Sequence, residues 1–287
     1  MAIDSTEIRF KSLCQLKTLD QFVPARAKIA PHTEALRQFD RRSNTWERIS
    51  YRDLDERIQR WRRAFSKMGL KHGDRVAILL PNGVDAICCD QAVLANGYVP
   101  VPLHAIDTAG SSAFIIADSQ ASVLVTNRQS RWDAIYLTHT VMPDLRNVIF
   151  TEESAPDIRQ DGVQHWDLES WLATGHGVEQ LPEPPTAIVY TSGTTGRPKG
   201  VMLTHKNVVS NVINTLKTVS PKPGDVFLSF LPLSHTFERM AGYYLALGMG
   251  CTIVFTRSIQ QLAEDFPMSS SRFLEFMNVF LQKCKPN

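Results

Sequence analysis

A chain of 287 residues has room for a substantial core in one large or two ordinary domains. Hydrophobic residues at 43% and charged residues at 21% are ordinary globular values, and a formal charge of +2 argues for no nucleic-acid partner. Five cysteines (Cys14, Cys88, Cys89, Cys251, Cys284), odd in number and without C-x-x-C spacing, point to neither a disulfide framework nor a zinc site and fit a reducing cytosol. Met1 to Lys28 carries charges throughout and no apolar signal core. Residues 1–45 read as a leading segment, with a short helix at Leu19-Asp20-Gln21-Phe22 that Pro24 and Pro31 interrupt. Ser50 is placed to cap a helix whose apolar positions Leu54, Ile58, Trp61 and Phe65 recur at helical spacing. Its basic residues Arg57, Arg60, Arg62, Arg63 and Lys67 read as a solvated face beside Glu56.

Gly69 stops that helix, and Arg75 to Leu80 reads as a buried strand. Pro81-Asn82 restarts a helix through Ala95, in which Cys88 and Cys89 pack as small hydrophobes. Tyr98 to Leu103 follows as a strand whose Pro100 and Pro102 suit a sheet edge. A helix at Ser111–Asp118 and strands at Ser122–Thr126 and Asn147–Phe150 come next, then a proline-rich joint at Leu181–Pro185. Beyond it lie a strand at Thr186–Val189, a helix over about 205–218, a strand at Val226–Phe230 and a helix over about 237–248. A strand at Cys251–Phe255 and a helix at Ile259–Phe266 close the pattern. Alternation at this spacing predicts an α/β fold with mostly parallel sheets flanked by helices. The longest apolar stretch, Ala241 to Phe255, is glycine-interrupted and shorter than the ~20 residues a bilayer span needs.

Chemistry concentrates in Tyr190-Thr191-Ser192-Gly193-Thr194-Thr195-Gly196-Arg197-Pro198-Lys199-Gly200. Glycines let backbone N–H groups approach a phosphate closely, and hydroxyls and Lys199 supply further donors. The residue order fails the G-x-x-x-x-G-K-[ST] and G-x-G-x-x-G patterns, so neither a Walker loop nor a dinucleotide fingerprint is present. A second segment, Leu231-Pro232-Leu233-Ser234-His235-Thr236-Phe237-Glu238-Arg239, follows the next strand. Ligands of parallel sheets lie beyond strand carboxyl ends, so His235 is expected to face the same crevice as the loop. A hydrogen-bonded core histidine is the plainer alternative, and Glu238 and Arg239 read as structural.

The loop resembles the signature of the adenylate-forming (AMP-binding) superfamily. Ile49-Ser50-Tyr51-Arg52-Asp53-Leu54, Ala92 to Leu103, and Leu231 to Arg239 with Gly242-Tyr243-Tyr244 are similar to further family segments, the last to its long-chain fatty acyl-CoA synthetases. The resemblance implies the N-terminal portion of the family's large domain, with a first α/β lobe at 46–182, a second at 183–266 and a non-family tail at 267–287. It implies ATP phosphates held by Thr191, Ser192, Gly193, Thr194, Thr195, Gly196, Lys199 and Gly200, with Lys199 and His235 as catalytic residues and His235 near the acyl carboxylate. ATP with Mg²⁺, CoA as co-substrate and a fatty acid substrate are implied, in a cytoplasmic protein with peripheral membrane contact at most. No residue of the chain matches the family's acidic Mg²⁺ ligand, its ribose-binding segment or its C-terminal lysine domain, so a fragment incompetent alone is expected. With permitted codon choices, a frame shift over Ser271–Phe280 would yield a segment like the family's next one, so an out-of-frame translation is one expectation for the tail. A divergent helix is its alternative. An acyl-AMP ligase, a ligase for another carboxylate and a non-catalytic nucleotide-binding remnant are the competing functional readings.

Overall fold

The computed structural model describes residues 15–152, 162–177, 187–191, 199–216 and 221–269. A 3-10 turn at Leu19–Gln21 runs into helix α1 (Phe22–Ile29). Pro24 does not interrupt α1, because it stands in the first turn, where its missing N–H has no partner to lose. An antiparallel hairpin follows, β1 (Glu34–Asp40) and β2 (Thr45–Ser50), inside a segment for which sequence reading offers only the short helix. The signal lies in Asp40 to Asn44. Asn44 adopts a left-handed φ of 54°, and the Asp40 carboxylate accepts the backbone N–H of Arg42 at 2.9 Å.

Helix α2 (Tyr51–Ser66) begins where Ser50 predicts. Asp53 N–H donates to Ser50 Oγ and Ser50 N–H to Asp53 Oδ2, both at 3.2 Å, a reciprocal cap. Then β3 (Arg75–Leu79), α3 (Val84–Ala95), β4 (Val99–Pro102), α4 (Ala109–Asp118), β5 (Ala121–Thr126), α5 (Gln129–Tyr136), β6 (Asn147–Phe150), β7 (Gln164–Asp167) and α6 (Leu168–Ala173) succeed one another. Helices α5 and α6 and strand β7 are additions to the expected elements, each too short for a periodic pattern to stand out. Next come β8 (Ala187–Thr191), β9 (Lys199–Leu203), α7 (His205–Leu216) and β10 (Val226–Ser229). A π-helix (Glu238–Leu245) continues into α8 (Ala246–Met249), and β11 (Thr252–Phe255) and α9 (Leu262–Asp265) complete the described elements. The last helix starts at Leu262 instead of Ile259, after a turn in which Ser258 Oγ accepts the N–H of Gln261 at 3.2 Å. The Leu181–Pro185 joint, Cys14, Cys284 and the tail from residue 270 lie outside the described residues.

Two compact units interleave along the chain, where sequence reading divided it into consecutive stretches. One holds the described residues up to Asp55, Lys206–Leu231 and those from Phe237 onward. Its sheet has the order β10-β11-β1-β2, parallel except for β2. Gly250, at φ 79°, ends α8 with a left-handed cap. Arg26 Nε donates to the Gly248 carbonyl at 2.6 Å, and the Tyr51 hydroxyl to that of Cys251 at 2.8 Å, two buried side-chain bonds that tie α1 and α2 to the chain on either side of Gly250.

The other unit comprises the described parts of Glu56–His205 together with Pro232–Thr236. Its parallel sheet has the order β4-β3-β5-β6-β7. The chain starts at β3, steps outward to β4, and crosses back to β5, so strand order reverses between β3 and β5. Val99 and Leu103 donate to β3 through Asp74 and Ile78 carbonyls at 2.9 Å. Pro100 and Pro102 take the alternate positions, where no N–H is asked of them by β3. The basic face of α2 is not wholly solvated: Arg62 donates to the Ala95 carbonyl at the end of α3 at 2.9 Å, and Arg60 meets Glu169 at 3.1 Å. Cys88 and Cys89 are buried as expected, and desolvation, reinforced by Asp85, pushes the Cys88 thiol far above its ordinary range.

Against the outer part of this sheet, His165 on β7 packs edge-on to Phe150 (5.6 Å) and Trp132 (6.0 Å). Both its ring nitrogens are buried and lack a hydrogen-bond partner among the described residues. Desolvation therefore lowers the imidazole pKa, against the opposing pull of Asp133. The folded state binds this proton less well than the unfolded chain, so stability is expected to fall as pH drops below about 6.5. Urea unfolding at pH 7.5 and pH 5.0 checks this. His165→Phe should shrink the difference between the two, and an unchanged difference would assign the pH dependence elsewhere.

Candidate functional site

Apolar residues at Ala187–Val189 and Val201–Leu203 make two strands, and they pair with each other. Ribbon β8-β9 is antiparallel, with Ala187 opposite Leu203 and Thr191 opposite Lys199. The glycine- and hydroxyl-rich run is therefore flanked by two strands that pair with each other. Thr191 and Lys199 form the last rung of its ladder, and Gly200 stands opposite Tyr190. Ser192, Gly193, Thr194, Thr195 and Gly196 lie outside the described residues. Strand β8 runs beside β4 in the same unit.

The segment with His235 was expected to follow a strand neighbouring that of the loop. Instead β10 pairs with β11, and β8 pairs with β9, so the two segments do not leave adjacent strands of one sheet. A different device assigns the segment to the unit that holds the ribbon. Pro232 to His235 form a β-turn closed by His235 N–H donating to the Pro232 carbonyl at 2.8 Å. Leu233 N–H donates to the side-chain oxygen of Asn82 at 3.0 Å. His235 is exposed, which removes the core-histidine alternative.

Residues just beyond the turn are structural, as expected. Arg239 is buried with its guanidinium 5.3 Å over the Tyr244 ring, and Tyr243 and Tyr244 stack at 4.3 Å. Glu238 is 3% exposed at the start of the π-helix, with Oε1 lacking a hydrogen-bond partner among the described residues. Burial pushes its carboxyl up to about 7, with the hydrogen bond to Ser229 pulling the other way. The lone glycine one turn on matters here: a Cβ at Gly242 would come within 2.5 Å of Glu238 Oε1. π-helical turns of this kind recur at functional sites.

Carboxyl ends of the five-stranded sheet add groups that motif reading passed over. Asn82 follows β3, and Thr126 and Asn127 stand at the end of β5, on either side of the point where strand order reverses. Glu152 takes one bond from Asn127 Nδ2 and one from Arg128 Nε, each at 3.0 Å, and so links the ends of β5 and β6. The pointer to these residues was positional, polar side chains directly after apolar strands. Among the described residues no group of three His, Cys, Asp or Glu side chains is placed to hold a metal ion, so none is assigned to Mg²⁺. Chemically, the Asn82-held turn offers an exposed imidazole.

A family model described as AMP-binding enzyme matches residues 23–276, running past the expected boundary at Phe266. Fatty acyl-CoA synthetase A of Dictyostelium discoideum is 30% identical over 245 residues, which cover 82% of this chain and 36% of that protein. Crotonobetaine/carnitine–CoA ligase of Salmonella agona is 30% identical over 209 residues, covering 72% of this chain and 40% of the relative. The chain thus spans little more than a third of the length of these relatives. Among solved structures, the anthranilate CoA ligase AuaEII in complex with anthranoyl-AMP superposes with a TM-score of 0.75. That match covers 89% of this chain and 48% of the other at 17% identity, a likeness of fold.

Proposed function

This chain belongs to the AMP-binding enzyme family, and from that premise we propose that it takes part in ATP-dependent activation of a fatty acid and its transfer to CoA. The observation that supports this reading most is that one compact unit contains both Thr191 and Lys199, opposite each other, and the exposed His235. Thr191, Ser192, Thr194, Thr195 and Lys199 hold the ATP phosphates through hydroxyl, backbone and ammonium donors. His235 lies at the acyl carboxylate, which attacks the α-phosphate and displaces pyrophosphate. The acyl group then passes from the adenylate to the CoA thiol. Magnesium, when bound with ATP, neutralises charge on the departing pyrophosphate. What the residues of this chain contribute is orientation: the donors fix the phosphates, and the turn presents the imidazole to the acid. The cytoplasm is the proposed site of action, with the acid drawn from solution or from a membrane surface.

Titration calorimetry and pyrophosphate release test this together. ATP is expected to bind, and Lys199→Ala to weaken it by roughly 10-fold or more, since a charge-assisted bond contributes about 1.5–3 kcal/mol. Palmitate is expected to bind or react better than acetate, each buried CH₂ adding about 0.8 kcal/mol. Unchanged ATP affinity in Lys199→Ala would remove the loop from the site. Preference for a short polar acid would favour the reading as a ligase for another carboxylate, toward which the crotonobetaine/carnitine relative points.

A further inference from the structure

We propose that Asn82 is the positioning residue of this site: its side chain holds the Pro232–His235 turn, and with it His235, at the carboxyl end of β3. The inference rests on the reading of His235 as the residue beside the acyl carboxylate. A β-turn closed from its fourth residue to its first leaves the N–H of its second residue needing an acceptor. In this turn that N–H belongs to Leu233, and the acceptor is Asn82 Oδ1 at 3.0 Å, across a chain separation of 151 residues. The turn hydrogen bond of 2.8 Å from His235 to Pro232 then carries the constraint to the imidazole-bearing residue.

Asn82 stands directly before Gly83, the cap residue of helix α3, and its amide oxygen accepts from a segment far away in the chain. Its place matters too, for β3 is the strand at which the sheet order reverses, where parallel sheets take their ligands. Five residues, Pro232–Thr236, group with this sheet, whereas the stretches Lys206–Leu231 and from Phe237 onward group with the other unit. Within Pro232–Thr236, the Leu233 N–H donates to Asn82, beyond the carboxyl end of β3.

Asn82→Leu removes the acceptor at similar size, and Asn82→Asp keeps an oxygen in its place. Two readouts are compared in the 287-residue chain: the imidazole ¹H–¹³C signal of His235, assigned with His235→Gln, and palmitate binding by calorimetry. Asn82→Leu is expected to shift and broaden the His235 signal and to weaken palmitate binding about tenfold. ATP affinity should stay within about twofold, because the ribbon donors are untouched. Asn82→Asp should return the signal to its original position and palmitate affinity to within about threefold. A His235 signal unmoved in Asn82→Leu overturns the proposal, whatever palmitate does. Loss of ATP and palmitate binding together, with a lowered unfolding midpoint, overturns it in favour of a purely structural asparagine. If the unsubstituted chain binds no palmitate, the acyl reading fails, and the His235 signal alone decides the role of Asn82.

Discussion

Gly175→Ala is expected to cost about 3 kcal/mol of stability, the top of the range for an overpacked site. A Cβ on Gly175 would stand 2.6 Å from the backbone nitrogen of Ala64 and 2.8 Å from the carbonyl carbon and Cβ of Arg63. These are atoms of helix α2, mostly backbone, and they cannot swing aside as a side-chain tip can. Relief requires that the end of α6 move away from α2. Trp171 on α6 resists that movement, because it sits edge-on to Phe65 at 4.7 Å and to Trp61 at 5.3 Å. Each such aromatic pair contributes about 0.5–1.5 kcal/mol beyond its buried area. Gly110 provides the contrast. It lies inside helix α4 with nothing within 4 Å of its missing Cβ, so Gly110→Ala should stabilise by up to about 1 kcal/mol. Urea denaturation of the two variants beside the unsubstituted chain measures both. Equal midpoints for Gly175→Ala and the parent would show that α6 can shift without loss.

Glu238→Gln is expected to raise stability at pH 8 and leave it unchanged or lower at pH 4. Burial holds the folded carboxyl at about 7, against an ordinary value of 4.5. The folded state therefore binds this proton more tightly than the unfolded chain does. Its contribution is fully present below about 4.5 and is lost as pH rises through about 7. The difference corresponds to roughly 3 kcal/mol between those limits. A glutamine has nearly the same shape and no charge, so it should flatten this part of the pH profile. No charged residue lies within the strand β10 or the helix α8 that pack on the π-helix to offset the ionised form. Arg239, the neighbour on the π-helix itself, faces Tyr244. Guanidinium unfolding from pH 4 to pH 8 reads the effect, and parallel profiles for Glu238→Gln and the parent would place the titrating group elsewhere.

Glu238 also illustrates how far local pattern reaches. Its neighbours in sequence mark it as structural, and it is buried as that reading expects. That its Oε1 lacks a partner among the described residues, and that Gly242 leaves the room its carboxyl occupies, are properties of the folded unit. Neither is visible in a window of residues. His235 shows the reverse. Sequence context favours a role at the site, but the reason first offered, adjacency of two strands, is not how the fold works. An asparagine at the end of another strand assigns the turn to its unit.

The amino-acid sequence by itself determined the α/β class, most element positions, the Ser50 cap, the stop at Gly69 and the resemblance of the glycine-rich run to a phosphate loop. Each of these depends on residues within a turn or two of one another: side-chain periodicity, a capping hydroxyl, a left-handed glycine, a proline without its N–H. Tertiary structure alone decided that Thr191 pairs with Lys199, and that strand order reverses at β3. It also decided that units interleave along the chain, and that Leu233 finds its acceptor in Asn82. Pairing partners are chosen by which apolar faces can be buried together and which backbone groups are left needing a bond. That choice is made across a separation of 151 residues, where no local propensity operates.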